Sequence, residues 1–243
     1  GAPISFGDFY KAAEAVRALA QSGLNPANCR LVDANECRAT GVNDGSAHLL
    51  VLAFESAHYD VAPNMARALE IARDHGGTVD ASVATADAVG AWRNAFIRMP
   101  YFREVITPWA VINDTFETAI TWDRFPAFHR AIVAATAGAS EAATGRKGLV
   151  TCRFTHVYPD GPAPYYSFHA KGDRRALLKQ WMAIKTAASD AVIANGGTIT
   201  HHHAVGRDHM KWYERQRPKL FGAALAAAKA VLDPAGVMNP GVI

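Results

Sequence analysis

His201, His202 and His203 stand side by side, followed by Ala204-Val205-Gly206. Imidazole changes charge near neutral pH, so a cluster of three can pass protons between reacting atoms. Neighbours in sequence do not readily wrap one tetrahedral ion, and no ligand-spaced Cys or His pair supports them, so no metal is expected here. On an extended chain His201 and His203 share one face and His202 takes the other. A turn at Gly206 would bring two of the rings into one pocket. The plainer reading is three solvated or structurally bonded histidines. Tyr165 and Tyr166 open a strand after a Pro/Gly turn; Tyr165 is either an edge packing residue or, beside histidines, a general acid or base. Arg103 follows Met99-Pro100-Tyr101-Phe102, read as the entry to a helix or loop after Trp92. In that aromatic setting its guanidinium can clamp a carboxylate or phosphate in two-pronged fashion, although a lone Arg is ordinarily a surface charge.

The chain that must position these groups has 243 residues, half of them hydrophobic, enough for one large domain or two small ones with a proper core. The formal net charge of +3 comes from scattered Lys and Arg, without the charge blocks or aromatic-basic repeats that would argue for nucleic acid. Cys29, Cys37 and Cys152 form no CxxC pair and no disulfide framework, which suits a reducing cytoplasm. No apolar run has the length of a spanning helix and no signal peptide opens the chain. The expectation is a cytoplasmic protein, with peripheral contact with a membrane surface and a homodimer left open.

Helical and strand patterns alternate along the chain. Asp8 caps a helix carrying Tyr10, Ala13, Val16 and Leu19 at helical spacing, closed by Gly23 and Asn25-Pro26. Residues 30–33 read as a short strand, 48–55 as a buried strand, and 61–75 as a helix closed by Gly76-Gly77. A second such unit follows: strand 115–121, helix 122–137, strand 148–158, and a hairpin partner 165–170 across Asp160-Gly161. Asp173 caps a long helix to Ala194, stopped by Asn195-Gly196-Gly197, and a short strand enters the histidines. Residues 223–231 make the last helix, and the Pro/Gly-rich end beyond it reads as an extended segment that docks on something else. The expected fold class is α+β, an antiparallel sheet covered by helices on one face.

The run from Asn195-Gly196-Gly197 through His201-His202-His203 to Gly206 and the ending Asn239-Pro240-Gly241 resemble the carboxy-terminal part of FAD-linked oxidases of the vanillyl-alcohol oxidase superfamily. So do Cys29-Arg30-Leu31-Val32-Asp33, Tyr101-Phe102-Arg103-Glu104, Thr121-Trp122-Asp123-Arg124, Thr151-Cys152-Arg153, and Asp160-Gly161 leading to Tyr165. Within that superfamily the chain looks most like the alkyldihydroxyacetonephosphate synthase family. The resemblance implies a ferredoxin-like duplicated cap domain over residues 1–231 that binds substrate, and a tail, 232–243, returning to an amino-terminal FAD-binding domain. The glycine-rich loop that holds the FAD pyrophosphate in such domains is not found in this sequence.

Carried over by resemblance, Tyr165 is the catalytic proton acceptor and His202 and His203 are active-site histidines. Arg103 holds a departing carboxylate, while Arg30 lies in a matching segment on the substrate side. His201 and Asn239 are expected toward the cofactor. The implied reaction exchanges the acyl group of acyl-dihydroxyacetone phosphate for a fatty alcohol. The alternative is FAD-dependent oxidation of a 2-hydroxy acid or alcohol. Against that alternative, the dehydrogenases of the superfamily carry a Gly-Glu-His-Gly-Ile-Gly type segment where this chain has His201 to Gly206, and the metal-ligand histidine and glutamate are missing.

Overall fold

The computed structural model describes residues 1–79, 97–98 and 101–242. Trp92, Met99 and Pro100 of the expected entry to Arg103 lie outside the described residues. Asp8 accepts from the Tyr10 and Lys11 amides and so starts α1 (Phe9–Gln21). Asp33 accepts from Glu36 N at 2.6 Å to start the short α2 (Ala34–Thr40), which ends on Gly41 at φ 73°. Further helices among the described residues are α3 (Ala62–Asp74), α4 (Phe125–Thr144), α5 (Leu177–Ala194), α6 (Gly206–Gln216) and α7 (Lys219–Leu232).

Six strands make one antiparallel sheet: β1 (Ala2–Phe6), β2 (Asn28–Val32), β3 (His48–Ala53), β4 (Val111–Glu117), β5 (Leu149–Val157) and β6 (Pro162–Lys171). Their spatial order is β1-β3-β2-β5-β6-β4. Each half sets three strands in the same order around its helices, the first half adding α2 between β2 and β3, and the halves join at β2 and β5, where Val32 faces Arg153. This is the duplicated α+β architecture expected from the sequence.

The two faces of the sheet differ in chemistry. Leu31, Leu50, Leu52, Cys152, Phe154, Tyr166 and Phe168 alternate onto one face and are buried with residues of α1, α3, α4 and α5 in the main core. On the other face Val32, Leu49 and Val51 pack under Cys37 of α2. The rest of that face carries Arg153, Thr151, Tyr165, Ser167, His169, Asn113 and Thr115, a polar floor rather than an apolar one. The β5–β6 hairpin turns at Tyr158, whose amide and carbonyl pair with those of Gly161. A Cβ on Gly161 would collide with the Ile120 carbonyl oxygen, so this position admits only glycine.

Several expected bounds shift. Strand β4 starts and stops four residues before 115 and 121, because its pairing with β6 is set by Val111 facing Lys171 at one end and Glu117 facing Tyr165 at the other. Helix α4 starts at Phe125, after a turn in which Trp122 is already buried and donates to the Tyr158 carbonyl at 3.0 Å. Asp173 does not cap α5: its carboxylate accepts from Arg175 N at 2.9 Å in a preceding turn, and the helix begins at Leu177. No strand enters the histidines, since residues 198–205 form an irregular loop with bends at Ile199 and at His201, His202 and His203. The end of the chain is turned rather than extended, because Asp233 accepts from the Val237 and Met238 amides at 2.9 and 3.0 Å and from Lys229 Nζ at 2.6 Å.

A core histidine sets an acid limit on this fold. His129 sits among Phe9, Tyr10, Phe125 and Tyr166, its Nδ1 3.1 Å from the Tyr166 hydroxyl. Burial first, then the Arg130 and His48 charges, lowers its pKa from 6.5 to about 4. Between those values the unfolded chain binds the extra proton and the folded chain does not, so stability falls as pH falls through that window. The contribution of His129 amounts to at most about 3 kcal/mol. Urea unfolding from neutral pH down to pH 4 is expected to show this loss, with a shallower fall in His129→Phe. Equal slopes in the two proteins would contradict the assignment.

Candidate active site on the open face of the sheet

Tyr165 and Arg103 meet in one cavity of about 810 Å³ over the open face. Its floor is Asn113 and Thr115 of β4, Thr151 and Arg153 of β5, and Tyr165, Ser167 and His169 of β6. Glu36, Ala39 and Thr40 of α2 form one wall, while Arg98, Tyr101, Phe102, Arg103 and Val105 form another. Residues 101–106 are helical, and Tyr101, Phe102, Arg103 and Val105 are all exposed there. The Arg103 guanidinium therefore belongs to the cavity mouth, while Tyr165 belongs to its floor.

Tyr165 is held on three sides. Its hydroxyl donates to Thr115 Oγ1 at 3.0 Å, and the His203 ring meets its ring edge to face at 5.3 Å. The Arg153 guanidinium lies over the ring, 4.0 Å from its centroid. Arg153 is itself buried and ion-paired with Glu36, whose second oxygen accepts from Thr151 at 3.1 Å. Arg153 Nε is buried without a hydrogen-bond partner among the described residues. Arg30 shares the open face, and burial, then the Arg153 charge, lowers its pKa.

The histidine turn is fastened to the end of β4. Thr118 Oγ1 donates to the Thr198 carbonyl at 2.6 Å and Thr198 N donates to the Ala119 carbonyl at 3.1 Å. Beyond these bonds lies Glu117, whose side chain is fully buried. One of its oxygens accepts from the His201 and His202 backbone amides, both at 2.9 Å. The other faces His201 Nδ1 at 2.5 Å and His202 Nδ1 at 2.8 Å. Burial alone would raise the Glu117 pKa, but these donors outweigh it and leave the carboxyl below the usual range. His201 and His202 therefore turn toward the same carboxylate instead of alternating, because Glu117 captures both amides and both rings.

The outer nitrogen of His201 faces the Tyr158 hydroxyl at 3.0 Å. His156 stands 4.9 Å from the His202 ring and 5.4 Å from the His201 ring. Burial, then the His202 charge, lowers the pKa of both His156 and His203. One ligand-capable atom from each of Glu117, His156, His201 and His202 falls within 4.8 Å of the others. Two backbone N–H groups and two imidazole Nδ1 atoms surround the Glu117 carboxylate.

The structure thus joins Tyr165, His203 and His202 through edge-to-face ring contacts and brings Arg103 to the cavity of Tyr165. His201 also borders a smaller cleft with Tyr158 and Gly161. Asn239 lies exposed in the C-terminal turn at φ 48°, and no hydrogen bond joins it to the histidines among the described residues. Sequence reasoning missed Glu117, Glu36, Thr115, Tyr158 and His156 and gave Arg153 no role. The readable signal was the two-residue period of β4, which puts Asn113, Thr115 and Glu117 on one side.

The model of the family described as FAD linked oxidases, C-terminal domain, matches residues 2–243. An alkyldihydroxyacetonephosphate synthase of Caenorhabditis elegans is 33% identical over 140 residues, 56% of this chain and 23% of that protein. The Trypanosoma brucei brucei synthase of the same name is 27% identical over 150 residues, 62% of this chain and 24% of its own length. An uncharacterized FAD-linked oxidoreductase of Escherichia coli strain K12 is 23% identical over 164 residues, 65% of this chain and 31% of that protein. The matches thus span between a quarter and a third, roughly, of the curated relatives' lengths. A solved alkyldihydroxyacetonephosphate synthase superposes with a TM-score of 0.75 at 15% identity, over 98% of this chain and 43% of that one. A substrate-bound p-cresol methylhydroxylase superposes with a TM-score of 0.69 at 14% identity, over 98% and 51%. These two likenesses establish a shared fold.

The buried Glu36–Arg153 pair carries a stability prediction. Removing one partner leaves the other charge buried, so Glu36→Ala is expected to cost about 3–5 kcal/mol in denaturant unfolding. A loss below about 1 kcal/mol, the scale of an exposed pair, would contradict it.

Proposed function

The chain belongs to the family of C-terminal domains of FAD-linked oxidases, and from that premise we propose that it is the substrate-binding domain of an FAD-dependent enzyme. Residues 1–231 bind the substrate, and residues 232–243 meet an FAD-binding domain. The carrying observation is the single cavity that gathers Arg103, Arg153 and Tyr165 on the open face of the sheet. Its volume lies in the range of small-molecule and cofactor sites. Its polar floor and the orphaned Arg153 Nε beside Tyr165 fit a planar, hydrogen-bonding ring system such as a flavin.

The proposed reaction is exchange of the acyl group of acyl-dihydroxyacetone phosphate for a fatty alcohol, which the named synthase relatives support. FAD, when bound, supplies the covalent chemistry at the substrate carbon. Tyr165 takes a proton from the substrate as its phenolate, having first released its hydroxyl proton toward His203 and His202; Arg153 and His203 fix its ring and Thr115 its oxygen. Arg103 at the cavity mouth receives the departing fatty carboxylate, for which its five-donor fork is suited. Tyr101, Phe102 and Val105 give the same wall an apolar surface that suits an aliphatic chain. His202 and His203 carry protons at the edge of Tyr165. His201 and Asn239 lie on the cofactor side in this reading, and Arg30 on the substrate side. The Escherichia coli relative, named as an FAD-linked oxidoreductase, supports oxidation as the second reading, for which we propose a 2-hydroxy acid or alcohol as substrate.

With FAD-loaded protein, Tyr165→Phe is expected to lower acyl exchange by a factor on the order of 100 or more. Unchanged turnover would remove Tyr165 from the chemistry. Lasting anaerobic bleaching of the flavin by a hydroxy acid, with no acyl exchange, would replace the first reading with the second.

A further inference from the structure

We propose that Glu117 is a positioning residue that fixes His201 and His202 as Nδ1–H tautomers, so that His202 offers a bare Nε2 to take up the proton that leaves Tyr165 by way of His203. Its use in turnover rests on the reaction proposed above; the tautomer itself does not. The argument begins with Glu117. A carboxylate with a fully buried side chain, two amide donors on one oxygen and two imidazole Nδ1 atoms on the other is saturated only if both Nδ1 atoms carry hydrogen. An ionised carboxylate has acceptors only, so neither ring can present a bare Nδ1 to it. For each neutral ring the tautomer follows, with the lone pair left on Nε2.

The two outer nitrogens then diverge. His201 Nε2 accepts from the Tyr158 hydroxyl at 3.0 Å, which occupies it. His202 Nε2 has no hydrogen bond among the described residues, and the ring is partly open to solvent, with 40% of its side chain exposed. Its neighbour toward the cavity is His203, 4.5 Å away centroid to centroid, which in turn meets Tyr165. A proton taken up at His202 Nε2 gives an imidazolium whose Nδ1–H already faces the ionised Glu117. Charge therefore forms where opposite charge is fixed, and one proton moves without a second transfer. The groups facing His202 are Glu117 from β4, His156 from β5, and His201 and His203 from its own turn. Arg30, Lys185 and His209 act on this set from further elements through their charge.

Glu117→Gln inverts the arrangement. The amide can keep the backbone donors on its oxygen, but its NH2 then points at the imidazoles and forces Nε2–H on at least one ring. The experiment is imidazole nitrogen NMR of the intact protein, with signals assigned through single histidine substitutions, combined with turnover against pH. In the wild type both His201 and His202 are expected as Nδ1–H. In Glu117→Gln at least one switches to Nε2–H, turnover drops about 100-fold or more with little change in KM, and the limb of the pH profile that reports the base is displaced. Glu117→Asp, which keeps the charge, is expected to restore part of the turnover. His202 found as Nε2–H in the wild type overturns the proposal without any variant having to fold. So does a divalent ion held by Glu117 and the imidazoles in protein purified without chelator. An equal loss in Glu117→Gln and Glu117→Asp with unaltered tautomers would leave Glu117 a structural residue only. If the wild type carries both Nδ1–H tautomers but catalyses no acyl exchange, the proposed reaction fails and the tautomer assignment stands.

Discussion

A carboxylate with no access to water needs polar partners around it, and Glu117 is met by two backbone amides and two imidazole nitrogens from two adjacent residues. That requirement shapes the turn after α5. Both amides must point the same way, which is incompatible with a strand, and both rings must fold back toward β4. Thr118 and Ala119 continue the attachment by pairing with Thr198. The histidines, which belong to a loop, are thereby held to the sheet that carries Tyr165. The histidine turn is held here by one buried charge rather than by regular secondary structure.

The sheet supplies the second half of the arrangement. Its helix-covered face is an ordinary aromatic and aliphatic core, in which Phe9, Phe125 and Phe154 meet at ring distances of 5.0–6.2 Å. Its open face carries hydroxyls, an amide, imidazole and guanidinium groups from the three strands of the second half. A buried ion pair between Glu36 and Arg153 ties the short helix α2 of the first half to β5 of the second. The duplicated units therefore differ where they meet. The first half covers its own open face with α2, and the second leaves its face as a cavity floor.

The strands that read clearly from sequence are those with strong apolar runs and bounded turns. Strand β3 was legible as 48–55, and the β5–β6 hairpin as two strands across Asp160-Gly161. Strand β1 was not, because five residues containing Pro3 carry too little period, and its identity rests on pairing with β3. Helix α6 buries only Trp212, so it shows no apolar stripe to read. Helix α2 had both caps, Asp33 and Gly41, but is too short for periodicity. Tyr165, Arg103 and the histidines were legible as residue types. Their meeting was not, because it depends on antiparallel register: Glu117 faces Tyr165 across β4 and β6, and reaches His201 from 84 positions away in the chain.

The central claim is that the open face around Tyr165 is the reaction face. Its most direct test is the structure of this protein in complex with FAD and a bound substrate or analogue. The account predicts the reacting carbon of the ligand between the flavin ring and the Tyr165 hydroxyl, within about 3–3.5 Å of the latter, with the ligand's carboxylate or ester group toward Arg103. A flavin seated against the helix-covered face, or a ligand confined to the smaller cleft beside Tyr158 and Gly161, would contradict it.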